Sequence, residues 1–287
     1  MSDFFTAISN PDFGFLRIAL LAGLLASVSC GVVGSYVVTR RITYIAGSIA
    51  HCVLGGMGAA RYMQVVYDWQ WATPIVGAVV TAIFSALLIG WVTLRAKERE
   101  DTVIGAIWAI GMAIGILFIQ KTPGSSEDLM SYLFGSIMMV RESDLWILFG
   151  LDVLIVALVA MFFHPLLGVC FDSEFARLRG LPVETYYLLL LCLTALTVVL
   201  LISVVGIVLV IALLTLPVAI AGQFSRTLLR LMLFSVIICM LLTTSGLALS
   251  YGPNLPPGAT TIVLAGGAYL AVLGGKRIMA SRNQPQR

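Results

Sequence analysis

Residues 185–225 read TYYLLLLCLTALTVVLLISVVGIVLVIALLTLPVAIAGQFS, 41 residues without a charge. An α-helix rises about 1.5 Å per residue and the hydrocarbon of a bilayer is about 30 Å thick, so one crossing takes about 20 apolar residues. The run is long enough for two crossings, and Gly206 marks where it divides. A second uncharged run, 231–275, has 45 residues and divides at YGPNLPPG (251–258). Five further stretches qualify once each: 18–39, 42–60, 69–94, 102–120 and 145–163, the last with Asp152 as its one charge. Nine crossings result. Within hydrocarbon every backbone polar group must be satisfied internally, which leaves helices or a closed barrel, and runs this long and continuous are helical.

Composition agrees. The chain has 287 residues, 60% of them hydrophobic and 11% charged, with a mean hydropathy of +1.04. Soluble domains carry about a quarter charged residues, so the chain reads as an all-α integral membrane protein, one polytopic helical bundle over 1–287. A net charge of +3 gives no sign of nucleic acid as a partner. The five cysteines are scattered and odd in number, which is no disulfide framework. The opening MSDFFTAISNPDFGF is acidic where a signal peptide would be basic, so no cleavable leader is expected.

Orientation follows from lysine and arginine. With the N-terminus outside and the C-terminus in the cytoplasm, 13 of the 17 basic residues fall on the cytoplasmic side. The opposite orientation reverses the bias. One segment, SSEDLMSYLFGSIMMVRESD (125–144), has an apolar part too short to cross. It reads as a short helix at the outer face, about 127–140, or as an element lining an outer mouth.

The cytoplasmic connection after the fifth crossing, HPLLGVCFDSEFARLRGLPVETYY (164–187), has a regular pattern. Asp172 stands as an N-cap with Glu174 in the first turn. Gly180 is a C-terminal stop, and Pro182 prevents continuation. An amphipathic helix of about two turns is predicted, with Phe175 and Leu178 on one side. It is either an ordinary interhelical loop or a coupling helix gripped by an ATPase subunit. The order of Glu174, Ala176 and Gly180 is similar to the docking loop of ABC importer permeases.

Further stretches extend that resemblance along nearly the whole chain. They are GVVGSYVVTRRITYI (31–45), AHCVLGG (50–56), KEREDTVIGAIWAIGMAIGIL (97–117), DLMSYLFGSI (128–137), FDSEFARLRGLP (171–182), VVGIVLVIALLTLPVAIA (204–221) and NLPPGATTIVL (254–264). In this order they resemble the permease subunit of the zinc/manganese/iron class of ABC importers. The resemblance implies a type II importer fold of about 8–9 transmembrane helices and a second permease chain, identical or closely related. It also implies a cytosolic ABC ATPase that binds the ATP, and an extracytoplasmic metal-binding protein. The cargo it implies is a divalent ion, zinc, manganese or iron, with no cofactor bound by this chain. ATPase docking falls to Phe171, Asp172, Glu174, Ala176, Arg177 and Gly180. In agreement, the sequence has no G-x-x-x-x-G-K-[ST] phosphate loop; GGKR (274–277) lacks the first glycine and the hydroxyl residue.

His51, one of two histidines, lies in the uncharged stretch 42–60, ten residues beyond Arg41. Ten residues of helix rise about 15 Å, near the middle of the hydrocarbon. Ionisable groups at that depth face a bundle interior or a cavity. Gly47, His51, Gly55 and Ala59 recur every four residues on one face, giving the ring room or letting helices approach closely. A packed imidazole and a path-lining one both fit. The resemblance implies the second, since such permeases have G-D-x-x-x-H here, with the aspartate and histidine lining the metal's path. In this chain Gly47 replaces the aspartate and Gly55 a frequent proline. Asp152, the one acid inside a predicted crossing, is the candidate replacement carboxylate.

Other candidates carry less. Cys52 is turned about 100° from His51 around the helix. Met130, Met138 and Met139 are soft ligands that serve equally as apolar surface. His164, before Pro165, is interfacial. An intramembrane protease would need G-x-S-G with a partnered histidine or H-E-x-x-H, and neither occurs. An ion-coupled carrier predicts an internal repeat, and none is visible. A siderophore or cobalamin permease would want a wide cavity rather than one imidazole.

Overall fold

The computed structural model describes residues 14–95, 100–123, 140, 142–253 and 255–282. Eleven α-helices occur among them: α1 Gly14–Thr39, α2 Thr43–Val66, α3 Pro74–Arg95, α4 Glu100–Lys121, α5 Glu142–Met161, α6 Phe163–Phe171, α7 Ser173–Leu178, α8 Val183–Val205, α9 Ile207–Gly222, α10 Leu228–Tyr251 and α11 Pro257–Arg282. Nine of these answer to the nine predicted crossings, while α6 and α7 make up the connection after α5. Seven are long and apolar enough to cross a membrane by composition alone. The two outside that set, α2 and α9, depart for different reasons.

Helix α2 is diluted by glycine, serine and histidine, because it lies inside the bundle rather than against lipid. It is longer than the predicted 42–60, running on through Arg61 to Val66. Helix α9 has only 16 residues, about 24 Å of rise. Its N-cap is Gly206, which is buried and holds φ +79, a conformation that favours glycine. The division expected at Gly206 is therefore a one-residue break that the surrounding helices cover. Non-helical backbone at depth is tolerated where protein surrounds it. The far end of α9 is tied down by Lys276 of α11, whose Nζ donates to the Gln223 carbonyl.

Other boundaries shift against expectation as well. Residues 142–144, assigned to the outer-face segment, open helix α5, and the predicted fifth crossing 145–163 ends at Met161. The third begins at Pro74 rather than residue 69, since proline suits a first helical position where no N–H is needed. The short outer helix expected over about 127–140, with its three methionines, lies outside the described residues.

Close glycine contacts fix helix directions. Residues 48, 52, 55 and 58 of α2 meet 104, 107, 111 and 115 of α4 in ascending order, so the two run parallel. Along α1, Ser27 meets Thr243 and Gly31 meets Val236, so α1 and α10 run antiparallel. Both relations agree with alternating crossings. The centre is α8, two-thirds of whose apolar window (67%) is buried, whereas α4 buries 17% of its own. One side of α4 is covered by α2, and the rest looks outward.

Candidate functional site

Two regions carry the residues of interest. The first is α7, whose geometry is local and therefore closely determined by sequence. Asp172 is extended (φ −150°, ψ 92°), and its Oδ1 accepts the Phe175 N–H at 2.9 Å, an N-cap. At the other end the Gly180 N–H reaches the Arg177 carbonyl and the Leu181 N–H the Ala176 carbonyl. Gly180 has φ +79, which completes a Schellman stop. Ala176 is buried toward Gly168 of α6.

The opposite face of α7 is open. Phe171, Phe175 and Leu178 are exposed, Leu178 at 87%, and the Arg179 guanidinium lies over the Phe175 ring at 5.0 Å. A hollow lies on either side. One, of about 500 Å³, is bounded by Glu174 and Arg177 together with Arg40, Arg41 and Asp101. The other, of about 470 Å³, lies between Phe171, Phe175, His164 and Arg226. A capped ridge with apolar tips between two charged hollows is suited to a protein partner. Of the predicted docking residues, Ala176 faces the permease body and the rest lie at the ridge or its base.

The second region is the seam between α2 and α4. The Ser48 hydroxyl donates to the Ile104 carbonyl at 3.1 Å and the Cys52 thiol to the Ile107 carbonyl at 3.2 Å. One turn on, a Cβ on Gly55 would lie 2.6 Å from the Gly111 carbonyl oxygen, and one on Gly58 2.7 Å from that of Gly115. The backbones are thus in direct contact. His51, half-buried on this seam, stacks on Trp108 with ring centroids 4.5 Å apart and planes 13° from parallel. Tyr44 leans on the same indole at 5.9 Å. The imidazole Nδ1 is buried with no hydrogen-bond partner.

The face predicted from the four-residue spacing divides in space. His51 meets Trp108, Gly55 is taken up by contact with Gly111, and Gly47 lies beneath Ile211 of α9. Ala59 is half-buried. Cys52 is committed to its carbonyl.

Asp152 sits elsewhere. It is 4% exposed on α5, its Oδ1 accepts the Ser29 hydroxyl of α1, and its Oδ2 has no partner. Helix α5 packs on α1, and it shares no substantial contact with α2. Within one chain the structure does not bring the candidate carboxylate to His51. Among the described residues no group of three or more His, Cys, Asp or Glu could hold a metal ion.

Sequence reasoning missed Trp108. The available signal was position: tryptophan concentrates at membrane interfaces, and this one lies seven residues beyond Asp101, inside the predicted fourth crossing.

Comparison with known proteins gives a consistent result. The model of a family described as the ABC 3 transport family matches residues 12–275. The chain is 42% identical to the "Probable metal transport system membrane protein" of Chlamydia trachomatis, over 93% of this chain and 91% of that one. It is 33% identical to the manganese transport system membrane protein MntC of Listeria innocua, over 88% of each. Among solved structures it is similar to a chain of PsaBC from Streptococcus pneumoniae in complex with Fab. That match has a TM-score of 0.83 and 28% identity, and covers 94% of each chain.

Proposed function

The chain belongs to the ABC 3 transport family, and from that premise we propose that it is the permease of an importer carrying a divalent transition-metal ion across the cytoplasmic membrane. It is a multi-pass membrane protein and a non-catalytic component of transport. Manganese is the cargo named for the Listeria relative, and zinc and iron share the ligand chemistry of imidazole with oxygen. In this reading the N-terminus is outside, the ATPase sits beneath α7, and an extracytoplasmic binding protein delivers the ion. The open face of α4 meets a second permease chain.

The observation that carries the reading is α7. A surface that exposes Phe171, Phe175 and Leu178 on the rim of a membrane bundle needs a covering partner, and the caps at Asp172 and Gly180 hold it rigid enough to transmit a push. His51 lines the path, with Gly47 and Ala59 on its side of α2. A single imidazole replaces little of a divalent ion's hydration, so the ion passes hydrated and weakly held.

Uptake of Mn²⁺ and Zn²⁺ by cells making the chain with and without the ATPase tests the proposal. Uptake is expected only with both. Glu174→Lys and Gly180→Trp should each abolish it while leaving the chain in the membrane. If both variants transport the ion and still co-purify with the ATPase, docking is elsewhere. The purified chain alone should not hydrolyse ATP.

A further inference from the structure

The histidines that hold metals ordinarily have their other ring nitrogen fixed by a carboxylate, a carbonyl or a water, which sets tautomer and ring plane. His51 lacks that device: Nδ1 is buried and unpartnered. Its helix neighbours one turn either way, Gly47 and Gly55, have no side chains to brace it. What the ring does have is the indole of Trp108, 4.5 Å away and nearly parallel. The indole is itself held. Ser48 and Cys52 grip the carbonyls of Ile104 and Ile107 just before it, and Gly111 closes on Gly55 just after it. Tyr44 adds a third ring.

We propose that Trp108 is the positioning residue of the His51 site. By stacking, it holds the imidazole in one plane with Nδ1 sealed inward, so that Nε2 is the nitrogen offered to a passing divalent ion. This deepens the reading of His51 as a path residue and rests on it. The absent carboxylate at Gly47 makes the arrangement matter. Where a carboxylate is present, its charge draws the ion into place. Where one neutral nitrogen acts alone, the direction of its lone pair decides how strongly it engages an ion.

The test measures uptake of Mn²⁺ and, separately, Zn²⁺ by cells producing the complete transporter, normalised to the chain assembled in the membrane. Trp108→Leu and Trp108→Phe are each placed in the wild-type and His51→Ala backgrounds, with Trp108→Met standing in where leucine fails to assemble. An aromatic pair of this kind predicts that Trp108→Leu raises the half-saturating concentration about three- to tenfold. The maximal rate should stay close to wild type. Trp108→Phe, which keeps a ring, should restore most of the loss. In the His51→Ala background the Trp108 changes should add nothing. An unchanged half-saturation in Trp108→Leu overturns the proposal. So does an equal fall in rate in both backgrounds, which would make Trp108 a packing residue only. Wild-type uptake by His51→Ala overturns both this proposal and the path reading. Loss of uptake in His51→Ala with a silent Trp108→Leu overturns the positioning role alone.

Discussion

The α2/α4 seam holds the imidazole of His51 and the α1/α5 seam the carboxyl group of Asp152, and they hold these side chains in opposite ways. On α1/α5 the carboxyl group of Asp152 is almost fully covered and receives the Ser29 hydroxyl across the interface. On α2/α4 the polar groups that bind across the interface are Ser48 and Cys52, while His51 beside them is half-buried and stacked. One seam uses its ionisable residue to join helices. The other joins its helices with small residues and leaves the ionisable one to spare. Depth in the membrane alone did not distinguish the two residues; the neighbouring helix did.

The largest expected effect comes from destroying the close contact on which α2/α4 depends. In Gly55→Leu the new Cβ would lie 2.6 Å from the Gly111 carbonyl oxygen, which belongs to backbone and cannot swing aside. Overpacking typically costs about 1–3 kcal/mol, more where backbone must move, so little assembled chain should be recovered from the membrane. Gly150→Leu on α5 is the matched control, because nothing lies within 4 Å of a Cβ there. Size-exclusion chromatography in detergent reads both. Equal recovery of the two variants would show that α2 and α4 do not need backbone contact.

The next effect separates the two ionisable residues. His51→Ala should lower metal uptake about tenfold or more, in the range seen when a metal site loses a supporting group. The amount of assembled chain should not change. Asp152→Asn keeps an oxygen acceptor for Ser29 and should leave uptake per assembled chain within about twofold, since that hydrogen bond joins helices rather than meeting cargo. A tenfold loss in Asp152→Asn would instead make it the substitute carboxylate, reached through a second chain or another state of the transporter. Uptake of radioactive Mn²⁺, scaled to immunoblot signal, decides between them.

Features that depend on neighbours in the chain were legible in the sequence, and features that depend on distant partners were not. Asp172 and Gly180 could be assigned as caps because each closes hydrogen bonds within a few residues. Nine of the eleven helices among the described residues answer to runs chosen by length and hydropathy, although only seven are long and apolar enough to cross a membrane. The partner of Asp152 lies 123 residues away, and nothing in LFGLDVLIVALV points to Ser29. The spacing of Gly47, His51 and Gly55 placed them on one side of a helix but could not say that α4 would cover Gly55 and α9 approach Gly47. Gly206 was readable as a break, yet its burial depends on where α9 packs. Trp108 passed as one more apolar residue because only its approach to His51 gives it meaning.

The smallest expected effect tests what the histidine seam lacks. In Gly47→Asp the new Cβ would stand 3.6 Å from Ile211 Cδ1, an ordinary contact. The substitution places a carboxylate one helical turn before His51, on the same face. An acid at this depth is costly by itself, and a divalent ion beside it offsets much of that cost. Tighter holding and slower release should follow together: half-saturation for Mn²⁺ lower by about two- to fivefold, and maximal rate lower by a similar factor, both well under the tenfold that 1.4 kcal/mol represents. Gly47→Asn supplies the same shape without the charge and should leave both constants near wild type. If the aspartate and asparagine variants behave alike, charge at this position does not reach the cargo, and the face of α2 that carries Gly47 does not border the path. If they differ as expected, the wild-type glycine marks a permease that holds its ion loosely, with no carboxylate one turn before His51.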